Sequence, residues 1–126
     1  MTVHFGDGTS QTSAATSVTT ALVCKAWVNF DGQNSASSMI RDSQNITSIS
    51  DNGTGSYNVN FPSLGDDNYC TVGSHNIQSV NNRCWGTDNS NYSATTCRVT
   101  IEDPNQAYNT GSSRVDNDRI CLAFFS

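Results

Sequence analysis

Hydrophobic and polar residues alternate with a period of two along most of the chain after Ala21. Leu22, Cys24, Ala26, Val28 and Phe30 point one way, while Val23, Lys25, Trp27 and Asn29 point the other. This is the signature of a half-buried β-strand. Asp31-Gly32 ends it with a hairpin-type turn. Met39 and Ile40 open a weaker strand region that continues to Ile46 and Ile49. The dense turn signal Asp51-Asn52-Gly53-Thr54-Gly55 follows. Tyr57, Val59 and Phe61 alternate with Asn58 and Asn60 in a second clean strand, closed by Pro62, which cannot donate to a ladder. Asn68 to Ser74 reads as a third, with Tyr69 facing opposite to Cys70 and Val72. Gln78 to Ser93 is polar and reads as a loop around Cys84-Trp85-Gly86. Cys97, Val99 and Ile101 then alternate with Thr96, Arg98 and Thr100. In the last strand, Asp118 to Phe125, Ile120, Leu122 and Phe124 oppose Cys121, Ala123 and Phe125.

Six or seven short strands separated by turns predict an all-β fold, an antiparallel β-sandwich or small barrel. The last strand is apolar on both faces, so it needs cover from the sandwich or from another subunit. Residues 1–20 differ. The stretch from Gly8 to Ser17 has almost nothing to bury and is expected to be an extended N-terminal arm, with Val3 and Phe5 as its candidate anchors. The sandwich domain is expected to span 21–126.

Composition sharpens this reading. Asn, Ser and Thr supply 47 of the 126 residues, whereas Lys occurs only at Lys25 and Glu only at Glu102. That surface chemistry disfavours helices. The net charge of −5 and the scattered arginines exclude phosphate-neutralising nucleic-acid binding. Apolar runs such as Ala21-Leu22-Val23-Cys24 are far short of a membrane span, and Met1 is not followed by a signal-peptide pattern.

The five cysteines, at 24, 70, 84, 97 and 121, form no CxxC pair. They are either buried small hydrophobes or members of one or two disulfides. Cys84 and Cys97 bracket a polar loop and are the candidate pair, although a reducing cytosol disfavours such a bridge. His4 and His75 lie in no ligand spacing, and no GxSxG or HExxH pattern occurs. The Asp66-Asp67 and Asp116/Asp118 pairs sit at turns. The expectation is no enzyme, no cofactor and no metal. Trp85 lies amid Gly86, Asp88 and Asn89. It reads as a plug over the sandwich end, or as a sugar-stacking platform with Asp88, Asn89 and Tyr92. The sequons at Asn45, Asn52 and Asn91 are expected by chance in so Asn-rich a chain.

Several segments together resemble a known family. They are Phe5-Gly6-Asp7-Gly8-Thr9-Ser10-Gln11-Thr12, Lys25 through Gly32 (KAWVNFDG), Ile40 through Ile49 (IRDSQNITSI), Asp51 through Phe61 (DNGTGSYNVNF), and Asn68-Tyr69. This succession is similar to a module of tailed-phage virion proteins, found in tail fibres and related surface proteins, notably of phages of cyanobacteria and marine bacteria. The resemblance covers about Phe5 to Ser74 and ends there. It implies a homotrimeric β-structure on the virion exterior.

A long fibre needs a shaft, and this chain has one domain, no repeats and a Met at its start. The expected role is therefore a trimeric capsid decoration or cement protein. It would clamp the phage major capsid protein and stabilise the head, with the arm as anchor or clasp. The alternative is a tail-fibre tip that recognises host surface glycans through Trp85, Asp88, Asn89 and Tyr92. Neither nucleic acid nor membrane is an expected partner.

Overall fold

The structure, a computed structural model, describes residues 3–4, 6, 10–11, 23–76, 83–105 and 113–126. Two strands near the N-terminus, β1 (Val3–His4) and β2 (Ser10–Gln11), pair antiparallel, with Val3 opposite Gln11. These are the described parts of the expected arm. Phe5 and residues 12–20 lie outside the described residues.

The body is built from β3 (Cys24–Phe30), β4 (Ile40–Gln44), β5 (Ser48–Asp51), β6 (Ser56–Asn60), β7 (Cys70–His75), β8 (Cys84–Ser93), β9 (Thr96–Glu102) and β10 (Ile120–Phe125). They form two four-stranded antiparallel sheets. The first runs β4-β3-β10-β7 and the second β5-β6-β9-β8. The fold is thus a β-sandwich, not a barrel, because each sheet keeps two edges. The chain alternates between layers, and its last strand returns to the middle of the first sheet, between β3 and β7.

The alternating positions supply the core between the layers. Ala26, Val28 and Phe30 of β3 and Ile120, Leu122 and Phe124 of β10 meet Ile49, Tyr57, Val59, Cys97, Val99 and Ile101 of the second sheet. Each large side chain buried this way is worth about 1.5–3 kcal/mol. Aromatic contacts close both ends. Phe30 meets Tyr57 edge-on at 5.3 Å between ring centroids, and Phe61 packs on Phe124 at 4.9 Å. Burial raises the Cys97 thiol to about 11 and lifts the Tyr57 and Tyr69 phenols well above their ordinary value, with Asp116 adding to the effect at Tyr57.

Three local features differ from the sequence expectation. Asp31-Gly32 ends β3, but the connection to β4 is long and contains a 3₁₀ turn at Ala36–Ser38. Asp31 organises it by accepting from the Gln33 amide at 3.0 Å and from Arg41 at 2.6 Å. Second, the weak strand region from Met39 to Ile49 is two strands in different sheets. Asn45 sits between them at φ 57°, a left-handed conformation that Asn tolerates, and its side chain donates to the Lys25 carbonyl at 2.8 Å. Third, the expected loop around Trp85 is β8. This ten-residue edge strand has an irregularity between Asp88 and Tyr92. A bulge inserts unpaired residues and resets the alternation. Trp85 and Tyr92 therefore both face the core although one is odd and the other even, which hides the period from the sequence.

Candidate interaction face

The two outer faces of the sandwich differ in chemistry. On the second sheet the outward positions are Ser48, Ser50, Asn58, Asn60, Thr96 and Arg98, and they bond one another. Asn60 Nδ2 donates to Ser48 and Ser50 Oγ at 3.1 Å each, and its Oδ1 accepts from Thr96 at 3.1 Å. Arg98 donates to Asn58 Oδ1 at 3.0 Å and to Ser90 at 3.2 Å. This lattice puts the abundant Asn, Ser and Thr to use as a closed polar surface.

The first sheet shows the opposite character. Its register aligns Trp27, Ala123 and Val72 in one row across three strands, and Asn29, Cys121 and Ser74 in the next. Directly opposite residues share a face, and the inner positions of β10 are buried, so these rows lie outside. They surround a broad, open depression of about 470 Å³, and no lining residue is charged. Trp27 is held on the face by its indole N–H, which donates to Gln44 Oε1 at 3.1 Å. Val72 stands 54% exposed. The apolar outer positions of β10, Cys121 and Ala123, are only half-covered by their neighbours. The second face of the last strand, which the sequence required to be covered, is thus the floor of this open apolar depression. Trp27, Val72, Cys121 and Ala123 were legible as a face only through the two-sided apolar pattern of β10 and the off-face position of Trp27.

The residues singled out by sequence fall elsewhere. Cys84 and Cys97 are not joined, and all five cysteines are free thiols. The register places Cys84 opposite Glu102 and Cys97 opposite Tyr92, five positions apart along β9. At about 3.3 Å per residue that separation is far beyond disulfide reach. The bracketed segment is one arm of a hairpin, not a loop closed at its base.

Trp85 packs against the core from the second sheet. It closes over Gly73, where an added Cβ would lie 3.0 Å from the indole ring. Tyr92 stacks on Tyr69 at 4.5 Å and donates its hydroxyl to the Tyr69 carbonyl at 2.8 Å. Asp88 pairs with Arg98 on the outer face and accepts from the amide and hydroxyl of Ser90, bonds that hold its carboxyl below the usual range. Asn89 is exposed beside the bulge. The two aromatic rings and the two polar side chains therefore do not converge on one site. Val3 lies in β1 and Phe5 outside the described residues.

Among the described residues, no three His, Cys, Asp or Glu side chains gather where they could hold a metal ion, and no helix is long and apolar enough to cross a membrane. No protein-family model, curated protein or solved structure matches the chain.

Proposed function

We propose that this chain is a structural protein of a tailed-phage virion, a capsid decoration or cement protein that associates with itself and with the major capsid protein. The observation that carries the reading is the contrast between its two faces. A surface protein of a particle needs one side that seats and one that meets solvent. The apolar depression on the first sheet, lined by no charged residue, suits the seat, since binding energy concentrates in desolvated apolar patches with aromatic anchors such as Trp27. The hydrogen-bonded polar lattice of the second sheet suits the outside. The likeness of Phe5 to Ser74 to phage surface modules supports the same assignment.

The motif residues behind that likeness do structural work in this fold. Asp31 and Arg41 pair, Asn45 makes the crossing between sheets, and Tyr57, Val59 and Phe61 enter the core. The experiment is co-sedimentation of the purified chain with phage heads. Trp27→Gln, on the half-exposed outer face, is expected to weaken binding by about tenfold or more. Unchanged binding contradicts the seat.

A further inference from the structure

A sandwich with two open sheets has four edge strands, and three of these are guarded. β4 carries Arg41 and Asp42 and has a register irregularity against β3. β5 is four residues long and ends on Asp51. β8 carries Asp88 and its bulge. Short length, charge and bulges are the devices that stop an edge from recruiting another strand. Among the described residues, β7 has none of them. Its six residues, Cys70-Thr71-Val72-Gly73-Ser74-His75, include no Asp, Glu, Lys, Arg or Pro, and pair with β10 in unbroken register. Val72, the most exposed large hydrophobic residue among those described, projects from its middle.

We infer that β7 is an interface for a second copy of this chain, paired antiparallel edge to edge, with Val72 opposite the second copy's Val72. Three observations select that occupant. In this register Cys70 faces Ser74 and Thr71 faces Gly73, so small uncharged residues oppose one another. A chain of net charge −5 otherwise repels its own copies. The row Trp27-Ala123-Val72 runs across the two-fold axis into its mirror row, so that the apolar face continues over an eight-stranded sheet instead of stopping at an edge. The guarded β4 edges then end the sheet on both sides, so the assembly closes at two copies. This contact is two-fold, where the family likeness implies three-fold symmetry. It rests on the β7 edge chemistry and the continuous apolar row, and stands or falls apart from the virion reading.

A register-specific cross-link tests it. Cys24, Cys84 and Cys121 are replaced by Ser, the buried Cys97 is kept, and Ser74→Cys is added. Oxidised glutathione serves as oxidant. It takes two electrons and two protons as the disulfide forms and leaves as two molecules of glutathione. The expected product is a disulfide between Cys70 and the thiol introduced on the second copy, with twice the 13.5 kDa chain mass. It should form at least about tenfold faster than dimer in the same background with Ser74 retained, where the two Cys70 thiols are four positions out of register. Equal rates, or no cross-link, overturn the proposal.

Sedimentation equilibrium gives the second reading. The unmodified chain is expected at twice its mass. Val72→Lys, which sets like charges directly opposite, should weaken the association by about tenfold or more with an unchanged circular dichroism spectrum. Val72→Thr, which keeps a β-branched side chain, should retain it within about twofold. A mass of one copy or of three for the unmodified chain contradicts the pairing.

Discussion

The hydroxyl of Tyr57 donates a 2.7 Å hydrogen bond to Asp116 Oδ1, joining residues 59 positions apart. The same carboxylate oxygen accepts from the Gly55 amide at 2.7 Å, and the hydroxyl rests 3.1 Å from the Gly32 carbonyl. This one cluster of hydrogen bonds therefore ties the β3–β4 connection, the β5–β6 turn and the segment before β10. Tyr57→Phe removes the donor and leaves the carboxylate short of a partner. Hydrogen bonds to charged groups contribute about 1.5–3 kcal/mol, so urea unfolding should show a loss in that range. A loss below about 0.5 kcal/mol would mean that the contact does not hold this end together.

Alkaline pH should expose the buried thiol and phenols. In the unfolded chain a thiol ionises near 9 and a phenol near 10. In the folded chain Cys97 titrates at about 11 and Tyr57 and Tyr69 higher than a free phenol. Raised folded values mean that the unfolded state loses protons first. Their contribution is complete below pH 9 and declines as pH rises, first through Cys97 between about 9 and 11, then through the tyrosines above 10. The limiting slope is about 1.4 kcal/mol per pH unit for each group. Cys97→Ala should flatten the fall between pH 9 and 11, and an unchanged slope there would count against the burial of this thiol.

Thiol accessibility should follow position in the sandwich. Cys24, Cys70 and Cys84 are exposed, Cys121 is half-buried and Cys97 is fully buried. An aromatic disulfide reagent should therefore titrate three thiols quickly, Cys121 more slowly and Cys97 only on unfolding. Peptide mapping without reductant should find no Cys84–Cys97 link.

Two glycines of the β5–β6 turn separate backbone strain from crowding. Gly53 and Gly55 both have positive φ, at 101° and 60°. Around Gly53 an added Cβ meets nothing within 4 Å, whereas at Gly55 it would lie 2.6 Å from the Ile101 carbonyl and from the Val115 amide. Gly53→Ala should cost about 1–2 kcal/mol from conformation alone. Gly55→Ala should cost at least about 2 kcal/mol more, because backbone must move. Equal costs in thermal unfolding would show that the Gly55 turn yields freely.

How far the sequence could be read follows from these particulars. The core strands are legible because β3, β6, β9 and β10 alternate through most of their length, and Ala26, Val28, Phe30, Tyr57, Val59, Cys97, Val99, Ile101, Ile120, Leu122 and Phe124 are buried as that pattern predicts, whereas Cys24, on the same side of the pattern, is exposed where the register with β10 shifts. β8 was not, because its bulge shifts Tyr92 out of phase with Trp85. The split between β4 and β5 hinges on the backbone of Asn45, which no hydropathy pattern reports. The Cys84–Cys97 pair is close only if the polar segment between them is a loop, and pairing within the β8–β9 hairpin sets the two thiols far apart. The apolar face was half legible. The two-sided pattern of β10 called for a cover, but only the register of β3 and β7 shows that Trp27 and Val72 flank the same open floor.

In the proposed role this chain sits on the head of a phage, seated through its first sheet. Negative-stain electron microscopy of intact virions labelled with an antibody against the chain tests it most directly. Label distributed over the capsid, on virions that have not been opened, is the expected result. Label confined to the tail end, or absent from the particle, would contradict it.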